Sequence, residues 1–264
     1  MHFILIGMEE FETLVKRSYN FNQDTFNNDV SWKVLRQLYV NNYLNAIKNG
    51  DKIPKKIHQI WFGEPMSKEY RAYAETWKRF NPGWEYKLWT EKDVNDVDIP
   101  RRDLFNSIEH LGQKSDFLRY HILNQFGGLY VDMDFECIKS FNPLSYLDFY
   151  IGVGYPSNVE LYIGLIASVP HHPVIERVIR KMVKVTGGGW RNVFNTTGTY
   201  FFTNNFFRIV TGEDKGIVAF PTEYFYPFPN YKNHHELNGR DYIKDRSYAV
   251  HHWGVSWRQK RKVV

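Results

Sequence analysis

The side chains best suited to chemistry are Asp132 and Asp134, which close the stretch Ser115–Asp134, SDFLRYHILNQFGGLYVDMD. Two carboxylates held side by side repel each other. A bound divalent cation removes that repulsion, and hard cations such as Mg²⁺ and Mn²⁺ take oxygen ligands. The plain alternative is a pair of solvated acids in a turn. Upstream, Asp116 and Arg119 stand one helical turn apart, so a carboxylate acceptor and a forked donor can face the same hydroxyl groups. The same spacing also makes an ordinary surface ion pair. Near the far end, His251 and His252 are neighbours; on a strand they would point apart, so at most one would reach a shared site. Trp61 ends an apolar run and could stack on a nucleobase or fill a core.

These groups need elements to hold them. Asp116–Gln125 has helical spacing, with Phe117, Leu118, His121 and Ile122 recurring at three to four residues. Gly127 and Gly128 stop that helix, because glycine takes left-handed backbone angles without strain. Leu129, Tyr130 and Val131 form a short β-rich run. Alternation along it would put Asp132 and Asp134 on one side of the strand. Further strands are expected at Ile57–Phe62, ending at Gly63, and at Trp84–Trp89, Phe149–Val153 and Ile217–Phe220. Helices are expected at Ser67–Phe80 and Pro173–Val185. Glu91–Asp103 reads as irregular, Gly187–Gly189 as a flexible break, and Asn195–Thr203 as a loop opening a helix. Tyr224–Pro229 is too rich in proline for a central strand. Strands alternating with helices predict an α/β fold with a mostly parallel sheet. Residues 1–50 read as an N-terminal helical extension, Lys52–Lys56 as a boundary, and residues 51–264 as the main domain.

The bulk properties narrow the partners. The chain has 264 residues, a formal net charge of +5 and a single cysteine, Cys137. No disulfide can form within it, which predicts a reducing, cytoplasmic setting. Phe3–Met8 is too short for a signal-peptide core, and no stretch approaches a membrane span. No motif supports nucleic-acid binding. Basic residues cluster at Arg258, Lys260, Arg261 and Lys262, as a solvated tail or as a contact with anionic lipid head groups or donor phosphates. The aromatic fraction, 17%, suits sugar stacking and core filling equally.

Four blocks in order resemble the family 32 D-x-D glycosyltransferases, which include the fungal initiating mannosyltransferase and bacterial capsule enzymes. The glucosyltransferase domains of the large clostridial toxins share the central motif. That motif is carried here by Ser115, Asp116, Arg119, Tyr120, Leu123, Gly127, Gly128, Tyr130, Asp132 and Asp134. IPKKIHQIWFG at Ile53–Gly63 resembles the family's first strand, TGTYFFT at Thr197–Thr203 its T-G-P loop, and HHWGVSW at His251–Trp257 its closing H-x-x-x-x-S-W. Thr199 departs from the usual proline, which bears on the shape of that loop.

The resemblance implies a GT-A fold and transfer of a hexose from a nucleotide sugar with retention of configuration, using Mn²⁺ or Mg²⁺. The donor it suggests is a UDP-hexose, with GDP-mannose as the alternative, and the acceptor a carbohydrate, glycolipid or protein hydroxyl. Carried over by residue, Trp61 would stack on the base and Asp116 and Arg119 would hold sugar hydroxyls. Tyr130 and Asp132 would contact ribose and sugar, and Asp134 would ligate the metal. His251, which precedes Ser256 by the family's spacing, would be a second ligand or bind the diphosphate. Ser256 and Trp257 would touch metal and β-phosphate. Asp132, Asp134 and Arg119 are thus the expected catalytic set. Two competing expectations are a module that binds nucleotide sugar without turnover and a metal-dependent phosphohydrolase. The latter usually needs a larger acidic cluster, and Glu136 is the only further acid nearby.

Overall fold

The computed structural model describes residues 10–18, 21–63, 65–154, 159–182, 190–230 and 237–254, without the side chains of 190–192. Ser256, Trp257, the basic cluster after them and the Gly187–Gly189 break lie outside the described residues. The elements alternate as the sequence predicts. Helices α1 (residues 10–16), α2 (Gln23–Asn28) and α3 (Val30–Tyr39) come first, α3 running on into a π-helical turn, Val40–Leu44. Then follow β1 (Lys56–Ile60), α4 (Lys68–Phe80), β2 (Glu85–Trp89), α5 (Arg102–Asn106), α6 (Leu111–Phe126), β3 (Gly128–Val131) and β4 (Phe135–Cys137). The remainder holds β5 (Phe149–Val153), β6 (Leu161–Ser168), α7 (Pro173–Lys181), α8 (Trp190–Thr196), α9 (Thr199–Phe206), β7 (Ile217–Phe220), α10 (Thr222–Phe225) and β8 (Ala249–His251).

Six strands form the central sheet in the order β2-β1-β3-β6-β5-β7. β1 pairs in parallel with β2 and β3, and β5 with β7, so only β6, antiparallel to both its neighbours, runs against the others. This is the mostly parallel α/β arrangement that the alternation of elements predicts. β4 and β8 stand apart as a two-stranded antiparallel ladder, with His251 opposite Phe135 and Ala249 opposite Cys137. Helix α3 packs on β7, sinking Trp32, Leu35, Leu38 and Tyr39 into the main core. There the Tyr39 and Tyr224 hydroxyls meet at 2.7 Å. No helix among the described residues is long and apolar enough to cross a membrane. Cys137 is a buried free thiol.

Helix α6 differs from the amphipathic helix that its spacing suggests. It starts earlier, with the His110 ring accepting from the Gln113 N–H, and from Asp116 to Leu123 every residue is buried. It lies against β1, β3 and β6 and against α7, so this middle stretch has no side left for solvent. A polar residue on such a helix must find partners inside the protein. The Glu91–Asp103 segment, expected to be irregular, carries a 3₁₀ turn at Glu91–Asp96 started by a Thr90–Asp93 capping box, followed by α5.

The helix-to-strand reversal rests on two glycines. Gly127 (φ +61°) gives its N–H to the Leu123 carbonyl, and Gly128 (φ +95°) turns the chain onto β3. A Cβ on Gly128 would lie 2.6 Å from the Lys56 carbonyl oxygen. Gly128→Ala is therefore expected to lose about 1–3 kcal/mol from backbone strain, plus the cost of pushing β1 aside. The urea midpoint reads it, and an unchanged midpoint would show that the reversal tolerates a side chain.

Candidate active site

The two acids do not sit on the strand, as alternation suggests. β3 ends at Val131, and Asp132, Met133 and Asp134 form a turn leading into β4. The Asp132 N–H makes a last bond along β6, donating to the Gly164 carbonyl at 2.8 Å, and a side chain of β1 takes its carbonyl: Gln59 Nε2 donates there at 3.2 Å. Gln59 is fully buried at β1 and accepts from the Tyr86 hydroxyl at 2.6 Å. The His252 N–H donates to the Asp134 carbonyl at 2.9 Å. The turn is thus tied to β1, β6 and the end of β8.

Two groups of side chains meet at this turn. In the first, Arg119 reaches out of α6 between two carboxylates. Its Nη2 lies 2.8 Å from Asp116 Oδ1 and 3.2 Å from Asp132 Oδ1, while Nη1 donates to the Ile163 carbonyl at 2.7 Å. The guanidinium sits 4.4 Å from the centre of the Tyr130 ring, whose hydroxyl donates to Asp132 Oδ1 at 2.7 Å. Thr197, at the break between α8 and α9, donates to Asp116 Oδ2 at 3.1 Å. The Asp116–Arg119 pair is therefore no surface salt bridge. The Arg119 side chain is 5% exposed and that of Asp132 31%, so Asp132 is the reachable member. Burial pushes the Asp116 carboxyl up to about 6, against the pull of Arg119. It raises Asp132 too, with the Asp134 charge adding to the effect and Arg119 opposing it. Burial works against the charge on Arg119, but Asp132, Tyr130 and Asp116 outweigh it and hold the guanidinium protonated.

In the second group, His251 Nε2 lies 2.9 Å from Asp134 Oδ1. The ring stacks on Phe135 with centroids 4.3 Å apart, and its Nδ1 is buried with no hydrogen-bond partner. Asp132, Asp134 and His251 each bring one ligand atom within 4.8 Å of the others. Two carboxylates and an imidazole whose Nε2 faces one of them suit a divalent cation that accepts oxygen and nitrogen. Asp132 Oδ1 is taken by Tyr130 and Arg119, leaving Oδ2 for such an ion. The residues present fit the metal that the D-x-D pattern suggests. His252, the other candidate ligand, is engaged elsewhere: its Nε2 meets Glu136 Oε2 at 3.1 Å.

Trp61 follows β1, half-buried and tilted against Tyr70 of α4 with centroids 5.3 Å apart. A Cβ on Gly254 would come 2.3 Å from the Tyr70 hydroxyl and 3.1 Å from Asp134 Cβ, so Tyr70 and Asp134 flank the same glycine. Sequence reasoning did not single out Tyr70, Gln59 or Gly164. A Cβ on Gly164 would meet Asp132 Oδ2 at 2.9 Å. A glycine inside the apolar run Leu161–Ser168 was the available signal, since it marks a close approach. Tyr70 and Gln59 gave none, because their roles depend on distant partners.

Residues 67–149 match the family model described as a glycosyltransferase sugar-binding region containing a DXD motif. The chain is 32% identical over 162 residues to an uncharacterised glycosyltransferase of Acanthamoeba polyphaga mimivirus, covering 58% of this chain and 64% of that protein. It is 26% identical over 195 residues to inositol phosphoceramide mannosyltransferase 1 of Schizosaccharomyces pombe, covering 68% of this chain and 59% of the relative. Among solved structures, the PaToxG glycosyltransferase aligns with a TM-score of 0.49 and 16% identity, covering 78% of this chain and 79% of that one. The chain spans roughly three fifths of the length of the two curated relatives.

Proposed function

We propose that this protein is a metal-dependent glycosyltransferase of GT-A type that moves a hexose from a nucleotide sugar to a hydroxyl acceptor. The observation that carries the reading is the meeting of Asp132, Asp134 and His251 at one turn, beside a buried Asp116–Arg119 pair, within a D-x-D sugar-binding region. Asp134 and His251 would hold a divalent ion, with Asp132 Oδ2 in reach. Once bound, the ion supplies positive charge where the leaving diphosphate gains negative charge. Mn²⁺ suits the mixed oxygen and nitrogen donors better than Mg²⁺.

The chain's own groups carry the rest. Asp132 meets the sugar directly, being the exposed member of its cluster. Asp116 and Arg119 hold it from beneath, with any hydroxyl contact made at the edge of their pair. Tyr130 is 1% exposed and acts through Asp132 rather than by touching ribose. Ser256 and Trp257 keep the phosphate-side roles that the resemblance implies. Transfer with retention is best served by attack on the face from which the diphosphate leaves. The acceptor oxygen forms the new bond to the anomeric carbon, the sugar–phosphate bond breaks, and the leaving phosphate takes the acceptor's proton. Asp116 and Asp132 are both paired to Arg119, which leaves them poor nucleophiles for a covalent intermediate. A trapped glycosyl–enzyme adduct found by mass spectrometry would overturn this route.

UDP-hexoses and GDP-mannose are the two donor classes, the second favoured by the names of the Schizosaccharomyces pombe relative and of a 29% identical mannosyl phosphorylinositol ceramide synthase of Saccharomyces cerevisiae. The same names make a glycolipid the first acceptor to try, ahead of free glycans and proteins. Mn²⁺-dependent hydrolysis across a panel of UDP- and GDP-sugars tests the reading. Binding without hydrolysis would make the protein a nucleotide-sugar module, and release of a nucleoside monophosphate a phosphohydrolase. Trp61→Ala is expected to weaken binding of the free nucleotide by about 1–3 kcal/mol, the usual worth of a base stacked on an aromatic ring. Unchanged affinity in calorimetry would remove Trp61 from the site.

A further inference from the structure

One buried acid beside the candidate metal ligands has no part in the reading above. Glu136 stands on β4 two residues after Asp134 and is 4% exposed. Its carboxylate accepts from Arg240 Nε at 3.1 Å, from Arg240 Nη2, and from His252 Nε2 at 3.1 Å. The His252 ring lies flat on Tyr73 of α4, with centroids 4.5 Å apart and planes 3° from parallel. The His252 backbone N–H reaches the Asp134 carbonyl. His252 is thus fixed on three sides: by the acid, by the aromatic face and by the turn that carries Asp134.

Neighbouring residues on a strand face opposite ways. Phe135 and His251 stand opposite each other and stack on one face of the β4–β8 ladder. Glu136 and His252 meet on the other. Holding His252 on the second face therefore commits His251 to the first, where its Nε2 meets Asp134. We propose that Glu136 is a positioning residue: with His252 and Arg240 it clamps the end of β8 to β4, and so sets the spacing of Asp134 and His251 for a divalent cation. This rests on the metal reading given above.

Arg240 is 63% exposed along its side chain while Glu136 is buried, so solvent screens one half of the pair. The clamp joins the two chain segments that carry the ligand candidates, which makes metal affinity the quantity to watch. Partners of metal ligands are typically worth 10–100-fold in affinity.

Titrating the full chain with Mn²⁺ alone, and following free Mn²⁺ by electron paramagnetic resonance, tests this without any turnover. Glu136→Gln is expected to weaken Mn²⁺ binding about 10–100-fold while Tm moves by only a few degrees. His252→Gln, which leaves the Glu136–Arg240 pair in place, carries the same expectation and serves should the first variant not fold. Wild-type affinity in both variants overturns the proposal, as does a large fall in Tm with affinity unchanged, which marks a structural pair. Wild-type protein that binds no Mn²⁺ removes the metal reading itself, and the clamp with it.

Discussion

In Asp134→Asn, Mn²⁺-dependent cleavage of a nucleotide sugar is expected to fall about a thousandfold or more, with Tm nearly unchanged. A metal acting on a leaving group is worth several kcal/mol, and each 1.36 kcal/mol is a factor of ten in rate. The fold has little to lose. Asparagine keeps the shape of the side chain and can still accept a hydrogen bond from His251 Nε2, now 2.9 Å from the carboxylate. The Asp134 carbonyl keeps its bond from the His252 N–H. The substitution also removes one of two neighbouring negative charges, so Tm without metal should hold or rise. Activity within tenfold of wild type would take Asp134 out of the mechanism. A large loss of stability without metal would make it a structural acid.

Arg119→Ala is expected to lose about 3–5 kcal/mol of stability at pH 8, because it leaves two carboxylates in a buried site without their counter-charge. The loss should depend on pH, in a direction fixed by Asp116. Burial already raises that carboxyl to about 6 with Arg119 present, and removing the guanidinium raises it further. A group with a raised folded-state pKa holds a proton in the fold where the unfolded chain has released it. Its stabilising effect is full at low pH and is lost as pH rises through the folded pKa. The defect in Arg119→Ala should therefore be smaller at pH 5 than at pH 8. Urea denaturation at both values reads it, and a defect equal at both, or larger at pH 5, would show that the Asp116 carboxylate does not depend on the guanidinium. Arg119→Lys should recover only part of the loss, since one ammonium cannot reach Asp116, Asp132 and the Ile163 carbonyl together.

What could be read from the sequence was what short range decides. The end of α6 at Gly127–Gly128 was legible because only glycine takes those backbone angles. The order of strands and helices followed from local apolar spacing. The turn at Asp132–Asp134 was misread as part of a strand, because the group that takes the Asp132 carbonyl is the Gln59 side chain, far away in the chain. The burial of α6 all round from Asp116 to Leu123 was also out of reach, since it depends on elements packed around it. Motif spacing favoured His251 over its neighbour, but the division of labour between them is made by β4. Only the ladder shows that one faces Asp134 and the other Glu136.

The independence of the β4–β8 pair has a temporal consequence. β8 hydrogen-bonds to β4 alone, so the six-stranded sheet can be complete while His251 is still undocked. Closing the ladder is what brings the imidazole to the acids. In hydrogen exchange, amides of 135–137 and 249–252 should share one opening free energy lower than that of β1, β3 and β6. Catalytic competence would then be a late and separately reversible state of a protein that is already folded.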